Sequence, residues 1–227
     1  MEGPSGPADL RARLASYQPL FGLRVTTPRL TLQLPTDPEL LELLGVVERG
    51  VHDPAVMPFQ VAWTDVASPR RDRESLAHWW GARANWRPTD WTWIGAVRVD
   101  GVMVGIQDLG ARDFPTVREV STGSFLGREH QGRGIGTEMR AAVLHLAFEG
   151  LGAERARSGY LEGNTASQRV SEALGYVPNG VDTIVVRGTP VREHRLVLER
   201  SVWESRRRDD ITIEGLEECR ELFGAGG

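Results

Sequence analysis

Three glycines spaced by one residue give this chain a candidate anion site. Gly132, Gly134 and Gly136 lie between a predicted strand that ends near Leu126 and a helix predicted to begin near Gly134. Such a turn presents a row of backbone N–H groups at a helix N-terminus, where the helix dipole also favours negative charge. The turn therefore indicates a phosphate or pyrophosphate ligand. Glycines that only permit a tight strand-to-helix turn are the alternative.

The glycine spacing differs from that of dinucleotide-binding domains. The fingerprint GxGxxG requires a glycine at Thr137 if it is counted from Gly132, or a small residue at Met139 if it is counted from Gly134. Neither residue is present, although each glycine of that fingerprint has a specific steric task. An NAD-binding domain is therefore disfavoured.

The composition excludes several kinds of chemistry. All 27 basic residues are arginine, so lysine is absent. A Walker A loop, a pyridoxal Schiff base and a Ser-Lys hydrolase each need a lysine. The single cysteine, Cys219, cannot form an intrachain disulfide or a cysteine-rich metal site, and we expect it to be a half-buried helix residue. No metal is predicted.

Length and charge favour a globular domain that acts on small or peptidic partners. The chain has 227 residues, is 40% hydrophobic and carries a net charge of -4 with mixed signs, which disfavours nucleic acid as the main partner. The N-terminus, with Glu2 and Asp9, has no apolar signal core, and charges interrupt the apolar runs within a few residues. We expect a cytoplasmic protein with no membrane partner.

Alternating strands and helices must position the glycine turn. Asp100 and Gly101 separate two β-rich runs, Trp91 to Val99 and Val102 to Leu109, as in a type I′ hairpin. Further strands are predicted over Arg29 to Leu34, Val117 to Leu126, Ala153 to Leu161, Asp182 to Val186 and Val191 to Val202, and helices over Thr36 to Gly50, Arg73 to Trp86, Gly134 to Glu149 and Thr165 to Leu174. This order predicts an α/β fold of the mixed α+β kind, with a mixed sheet of about seven strands and helices on both faces.

The predicted domain occupies residues 23–204. Residues 1–22, which are rich in glycine and proline, are expected to form a flexible N-terminal arm. Residues 205–227, which begin with a run of arginines, are expected to be an appendage packed on or beside the domain.

Two motifs resemble those of a known superfamily. The run Gln131-Gly132-Arg133-Gly134-Ile135-Gly136 resembles the QxxGxG motif of the GNAT superfamily, the GCN5-related N-acyltransferases. Downstream, Asn164-Thr165-Ala166-Ser167 and then Leu174-Gly175-Tyr176 resemble the NxxS motif and its closing GF or GY.

The resemblance covers roughly Arg24 to Trp203 and is strongest to the subgroup that includes ribosomal-protein N-terminal acetyltransferases. The segments Gly50 to Pro54 and Met57 to Phe59 are similar to an actinobacterial branch in which use of succinyl-coenzyme A has been proposed.

The resemblance implies a GNAT fold whose splayed central strand pair holds acyl-coenzyme A. The backbone of Phe125 and Leu126 would pair with the pantetheine amides like an added strand. The N–H groups of the glycine turn would cradle the pyrophosphate, with side-chain contacts from Gln131 and Arg133. Asn164 would bind the pantetheine arm, a role compatible with capping the next helix. The implied donor-binding residues are Phe125, Leu126, Gln131, Gly132, Arg133, Gly134, Ile135, Gly136, Thr137 and Asn164.

Acyl transfer to an amine needs a neutral amine, a polarised carbonyl and a proton for the leaving thiolate. Many members of the superfamily donate that proton from a tyrosine seven residues after the asparagine, but Ser171 occupies this position. Ser167 is the predicted substitute, and a simple hydrogen-bonding role in the first helical turn is the alternative.

Glu119, on the strand that enters the donor site, is a candidate general base. Its side chain could also face solvent. Asp113, His52 and Asp53 are the alternative bases, and a water chain to a distant carboxylate would also suffice.

The acceptor should be bound by the loop from Val51 to Trp63, through His52, Asp53, Phe59 and Trp63. Trp86, Trp91 and Trp93 either extend this wall or fill the core. The acceptor itself, a small-molecule or peptide amine, is not identified by these residues.

The predicted function is an N-acyltransferase, a homo-oligomer that uses acetyl- or succinyl-coenzyme A and attacks directly. A succinyl group would need a cationic partner, for which Arg118 is a candidate. A non-catalytic acyl-coenzyme A sensor is the alternative function.

Overall fold

The longest strand pair is the hairpin that the Asp100-Gly101 dipeptide predicts. The computed structural model describes residues 7–226, and in it β3 (Asp90–Val99) pairs antiparallel with β4 (Val102–Arg112). Asp100 has φ 49° and Gly101 has φ 81°, the left-handed values that both central residues of a type I′ turn require. The hairpin prediction is confirmed.

The hairpin lies at the centre of a nine-stranded mixed sheet, in the order β7-β8-β6-β5-β4-β3-β2-β1-β9. The further strands are β1 (Arg24–Thr26), β2 (Leu30–Gln33), β5 (Glu119–Leu126), β6 (Arg155–Leu161), β7 (Val177–Val186), β8 (Thr189–Glu199) and β9 (Thr212–Glu214). The mixed α/β fold class is confirmed. The two strands beyond the predicted seven are the three-residue strands β1 and β9.

Helices cover both faces of the sheet. They are α1 (Pro7–Tyr17), α2 (Asp37–Glu48), α3 (Arg70–Ala84), α4 (Phe114–Val117), α5 (Ile135–His145), α6 (Thr165–Leu174) and α7 (Arg200–Glu204), and a wider helical turn, Leu146–Gly150, continues α5. On one face, Leu40 and Leu43 of α2 and Trp79 of α3 pack against Ile94 and Ile106. On the other face, α5 packs against β1, β2 and β4. The two faces therefore carry separate apolar cores.

The described part of the predicted flexible arm is ordered against the domain. Residues 7–17 form α1, and Leu20 and Phe21 are buried. Arg11 donates to the carbonyl oxygens of Phe21 at 3.1 Å and Leu34 at 2.9 Å. The structure therefore differs from the prediction of a flexible arm over residues 7–22, and residues 1–6 lie outside the described part.

The C-terminal appendage contributes to the core. Strand β9 pairs with β1, and the indole N–H groups of Trp86 and Trp91 donate to the carbonyl oxygens of Leu222 and Phe223. Cys219 is fully buried rather than half-buried. Trp86, Trp91 and Trp93 therefore fill the core and do not extend the acceptor wall. Trp86 and Trp91 bind the C-terminal appendage, and Trp93 is fully buried.

Strands β5 and β6 form the one parallel pair of the described sheet, and they diverge. They pair only from Glu119 with Arg155 to Ser121 with Arg157, whereas β5 continues to Leu126 and β6 to Leu161. A splayed central strand pair is thus present. No helix within residues 7–226 is long and apolar enough to cross a membrane.

Candidate functional site

A cleft of about 840 Å³ opens where β5 and β6 diverge. Residues from both strands, from α5, from α6 and from the loop between α2 and α3 line it. Among them are His52, Asp53, Phe59, Trp63, Asp108, Ser121, Ser124, Phe125, Leu126, Gln131, Gly136, Arg140, Arg157, Ser158, Asn164, Ser167 and Glu193.

The glycine turn brings the N-terminus of α5 to one end of this cleft. Gly132 has φ 72° and Gly134 has φ 75°, values that glycine adopts without a steric penalty. Gln131, just before the turn, and Gly136, the last glycine of the turn, both line the cleft. The first N–H groups of a helix have no partner within the helix, so the turn can present those from Arg133 to Thr137 to an anion.

Side chains of the turn contribute less than predicted. The Gln131 amide donates to the carbonyl oxygens of Val51 at 2.8 Å and Leu126 at 2.9 Å. These bonds use both of its N–H donors. Gln131 therefore joins the turn to β5 and to the loop after α2, and it has no N–H left for the predicted contact with a pyrophosphate. The Ile135 side chain is buried in the core, whereas that of Arg133 is exposed.

The C-terminal part of β5, which precedes the turn in the chain, has one edge that is not paired with another strand within residues 7–226. Phe125 and Leu126 pair with Ile106 and Gly105 of β4 on one side. On the other side, the ladder between β5 and β6 ends at Ser121 within the described chain. The backbone of Phe125 and Leu126 can therefore pair with an extended amide-bearing ligand.

Asn164 caps α6 at the opposite wall of the cleft. Its Oδ1 accepts a hydrogen bond from the Ser167 backbone N–H at 3.1 Å, and its Nδ2 lies 3.5 Å from the Pro58 carbonyl oxygen. The cap explains why α6 begins at Thr165, as predicted. The side-chain amide faces the cleft while it caps the helix, so both predicted roles are compatible.

The loop after α2 forms an aromatic wall. Phe59 and Trp63 have ring centroids 5.4 Å apart, and Trp63 packs on Phe125 of β5 at 5.7 Å. His52 donates through Nδ1–H to the Asp53 carbonyl oxygen, and its Nε2 accepts from the Thr64 hydroxyl. Both ring nitrogens are engaged, so His52 is better suited to holding the loop than to taking a proton. The Asp53 carboxylate accepts from the Ala55 N–H at 3.0 Å.

The family profile described as "Acetyltransferase (GNAT) domain" matches residues 29–177. This chain belongs to the GNAT family. Membership supports acyl transfer from coenzyme A as its activity, and the cleft has the two features that this donor needs, a phosphate cradle and a free strand edge.

Solved structures share the GNAT fold with this chain. RimJ from Mycobacterium smegmatis, in complex with a CoA disulfide, is 17% identical, has a TM-score of 0.64 and covers 87% of this chain and 91% of its own. RimL, a ribosomal L7/L12 alpha-N-protein acetyltransferase in complex with coenzyme A, is 15% identical with a TM-score of 0.62, and the alignment covers 76% of this chain and 95% of RimL. A ribosomal-protein-S5-alanine acetyltransferase from Vibrio fischeri is 16% identical with a TM-score of 0.62, over 79% of this chain and 98% of its own.

The usual tyrosine acid of a GNAT enzyme has no equivalent on α6. Ser171, at that position, is fully buried and donates to the Ser167 carbonyl oxygen at 3.1 Å. Ser167, one turn earlier, lines the cleft. Of the serines of α6, Ser167 is therefore the one that faces the cleft.

Glu119 lies outside the cleft, at the end of β5 where β5 and β6 are still paired. Its carboxylate forms ion pairs with Arg155 at 3.1 Å and Arg157 at 2.5 Å. The structure therefore differs from the prediction that Glu119 is a general base. Asp113 is also outside the cleft, at the start of α4.

Sequence reasoning missed four charged residues that line the cleft: Asp108, Arg140, Arg157 and Glu193. Asp108 of β4 accepts a hydrogen bond from the Gly123 N–H, and burial raises the pKa of its carboxyl group while the nearby Arg140 opposes that rise. In the sequence, the signal was an acidic residue, next to Gln107, within a mostly apolar predicted strand.

Arg140 of α5 is a buried cation with neutral partners. Its side chain donates to Ser158 Oγ at 2.9 Å and makes longer contacts, of 3.4 Å, with Gln107 Oε1 and Ser124 Oγ. Only 4% of the residue is exposed, and no carboxylate of the described chain lies within 4.0 Å of its guanidinium. An arginine within the apolar helix Met139 to Leu146 was the available signal.

Two hydroxyl groups increase the donor capacity near Arg140. Thr122 Oγ1 and Tyr176 OH are buried next to each other and to Arg140, and neither makes a hydrogen bond of good geometry within the described residues. Burial raises the pKa of the Tyr176 hydroxyl, and the charge of Arg140 opposes this rise. The surroundings of Arg140 are thus rich in hydroxyl groups. Within residues 7–226, no three His, Cys, Asp or Glu side chains cluster in a way that could hold a metal ion.

Proposed function

We propose that this chain transfers an acyl group from coenzyme A to a primary amine by direct attack. The observation that carries the proposal is the joining of two features in one cleft: the splayed pair β5 and β6, and the glycine turn at the N-terminus of α5. An extended pantetheine arm fits the first feature, and a pyrophosphate fits the second.

In this proposal, backbone groups hold most of the donor. The N–H groups from Arg133 to Thr137 bind the pyrophosphate, and Phe125 and Leu126 pair with the pantetheine amides. Asn164 binds the arm from the opposite wall. This arrangement leaves the thioester between β5 and β6, close to Ser167.

Direct attack agrees with the state of the single cysteine. Burial raises the pKa of the Cys219 thiol to about 12. Cys219 lies in the apolar core on the α5 side of the sheet and not in the cleft. A thiol is a weak nucleophile while it stays protonated. A covalent acyl-cysteine intermediate is therefore disfavoured.

The acceptor amine enters along the aromatic wall of Phe59 and Trp63 in this proposal. A peptide N-terminus and a small-molecule amine both fit an open cleft of this kind. The cytoplasmic location and the oligomeric state stay predictions.

Coenzyme A thioesters should stabilise the protein. At about a hundredfold excess over the dissociation constant, the free energy of unfolding should rise by about 2.7 kcal/mol, whereas NADH should have no effect. A thermal melt with acetyl-coenzyme A, succinyl-coenzyme A and NADH measures this difference.

Thiol release distinguishes an enzyme from a sensor. Release of free coenzyme A should exceed slow donor hydrolysis when a panel of peptides with free N-termini and small amines is added. Stabilisation by the thioesters without any amine-dependent release would instead favour the alternative function, a non-catalytic acyl-coenzyme A sensor.

Replacing Ser167 with alanine should lower kcat by roughly 100-fold, the lower end of the range for a lost proton donor. Donor affinity should change little, because a proton donor acts on the transition state more than on the ground state. Steady-state kinetics together with donor titration measure the two effects separately.

Ser171→Ala is the matched control, since Ser171 is one helical turn away and fully buried. Equal losses of turnover and donor affinity in Ser167→Ala would make Ser167 a binding residue. If neither changes, Ser167 serves only the helix.

The acyl group in this proposal is acetyl or succinyl. For a succinyl carboxylate, Arg140 is a better candidate partner than Arg118. Arg118 lies against the Phe114 ring and the Leu151 carbonyl oxygen, outside the cleft. Arg140 lines the cleft and has no acidic partner among the described residues within ion-pair distance. A buried cation of this kind favours an anionic ligand group, so we propose a succinyl-type donor.

A further inference from the structure

We infer that Asp108 is the group that takes the proton from the attacking amine, an assignment that rests on the proposed acyl transfer. It replaces Glu119, which the fold places outside the cleft. Three observations support it: the face of the sheet on which Asp108 lies, the way its carboxylate is held, and its position relative to Ser167.

Asp108 lies on the acceptor face of the sheet. Its neighbour Gln107 contacts Arg140 of α5, and Ile106 belongs to the core beneath α2 and α3. Side chains alternate along a strand, so Asp108 points to the same side as Ile106. The loop that carries Phe59 and Trp63 connects α2 to α3 and covers this side of the cleft. An amine bound by the aromatic wall therefore approaches Asp108.

Gly123 makes room for the carboxylate and holds it. The Gly123 N–H donates to Oδ1 of Asp108, and a Cβ atom on Gly123 would lie 2.8 Å from Oδ2. No side chain fits in that space unless the carboxylate moves. Asp108 is thus fixed over β5, the strand along which the donor is proposed to lie, and Oδ2 can accept a proton.

Asp108 and Ser167 belong to opposite sides of the sheet. Helix α6, which carries Ser167, packs on α5 and β6. The amine and the leaving sulfur thus have separate proton partners. As the N–C bond forms and the C–S bond breaks, the amine proton passes to the Asp108 carboxylate and the sulfur receives a proton from Ser167. Exchange with water then restores both side chains.

The charges around Asp108 define the expected pH dependence. Burial raises the pKa of Asp108 above its ordinary value, and it outweighs the Gly123 N–H, Arg140 of α5 and His78 of α3, which all favour the carboxylate. The other charged or titratable groups that line the cleft are His52, Asp53, Arg157 and Glu193. A base must be ionised and the amine must be neutral, so kcat/KM should fall in two steps as the pH decreases, one at the pKa of the substrate amine and one at the pKa of Asp108.

Asp108→Asn tests the assignment without changing the shape of the side chain. Turnover with an unblocked peptide from the amine panel should fall by about 100-fold to 10,000-fold, the usual contribution of a general base. The step that Asp108 contributes to the kcat/KM profile should disappear, so that only the step of the substrate amine remains, while the dissociation constant for acetyl-coenzyme A should not change. Asp113→Asn is the control, because it removes a carboxylate outside the cleft and should keep both steps.

The melting temperature of Asp108→Asn is a second measurement. If the Asp108 carboxylate served only to stabilise the fold, the substitution would lower the melting temperature. A raised pKa means that ionisation of Asp108 disfavours the folded state, so its contribution to stability is lost as the pH rises through the folded pKa. Asp108→Asn should therefore melt at a higher temperature than the native protein at neutral pH, and this difference should shrink in acid. A lower melting temperature at neutral pH would contradict the assignment.

The failures of the two proposals are distinguishable. If the native protein neither binds coenzyme A thioesters nor releases thiol with any amine, the proposed function fails. If the native protein turns over and Asp108→Asn keeps both its rate and the two steps of its profile, Asp108 is not the base. Should Asp108→Asn fail to fold, Asp108→Glu decides, because a relocated carboxylate should shift one of the two steps, and unchanged midpoints of both steps would overturn the assignment.

Discussion

Replacing Gly136 with leucine should weaken the binding of coenzyme A by at least roughly 100-fold, or about 2.7 kcal/mol. Gly136 lines the cleft at the start of α5 and has an ordinary helical backbone. A Cβ atom there would lie 3.5 Å from Val170 Cγ2 and 3.9 Å from Leu126 Cδ1, both normal packing distances. The protein can therefore accommodate the start of the side chain, and the rest of it occupies the proposed donor site.

Gly81→Leu is the matched control for this variant. Gly81 lies within α3, where its nearest neighbour would be Asn85 Nδ2 at 3.8 Å. Both substitutions replace a helical glycine with a better helix former, which favours the helix by up to about 1 kcal/mol each. Calorimetric titration with coenzyme A should show normal binding to Gly81→Leu only. Native affinity in Gly136→Leu would remove the glycine turn from the donor site.

Gly134 is a less suitable position for such a test. Its φ of 75° is one that β-branched residues adopt at considerable cost, so Gly134→Val would strain the turn as well as fill it. Loss of binding there could come from either effect. At Gly136 only the filling of the site is tested, because its helical backbone conformation can be adopted by any residue without strain.

Local sequence patterns predicted the parts of the site that short segments determine. The helix Thr165–Leu174 has the predicted limits because Asn164 caps it and Gly175, at φ 91°, ends it. The glycine turn and the two-residue hairpin likewise depend on residues that are adjacent in the chain. These features need no knowledge of tertiary contacts.

Residues whose roles depend on distant contacts could not be placed from the sequence. Glu119 is on β5 as predicted, but the cleft opens at the other end of that strand, where β6 diverges. The helix α1 and the tail are ordered by contacts such as those of Arg11 with Leu34 and of Trp91 with Phe223. The partial burial of Asp108 and the full burial of Arg140 likewise follow from how β4, β5 and α5 pack together.

The native protein should transfer succinyl faster than acetyl, and Arg140→Met should abolish this preference. The thioester is proposed to lie between β5 and β6, and Ser124 of β5, Ser158 of β6 and the Arg140 guanidinium lie together there. A succinyl carboxylate would pair with the guanidinium and accept hydrogen bonds from the neighbouring hydroxyl groups. A hydrogen bond to a charged group contributes about 1.5–3 kcal/mol, which corresponds to roughly 10-fold to 150-fold in kcat/KM.

Competition between the two thioesters measures this preference. The thermal stability of Arg140→Met shows whether the variant folds normally. Replacing a buried charge that lacks an ionic partner with an apolar side chain of similar length often stabilises a protein. Arg140→Met should therefore fold at least as well as the native protein while its acetyl transfer persists. Arg157→Met is the control, since Arg157 lines the same cleft but is paired with Glu119. Tighter binding and faster transfer of acetyl by the native protein would reject a succinyl-type donor.

Salt separates Arg140 from an exposed arginine as the origin of the preference. Arg133, on the glycine turn, is exposed, so an ion pair that it formed would weaken steeply as salt is added. Arg140 is only 4% exposed, and buried pairs are screened much less. The succinyl preference should therefore change little with ionic strength in the native protein. A preference that disappears in high salt but survives in Arg140→Met would assign the carboxylate to the rim of the cleft instead.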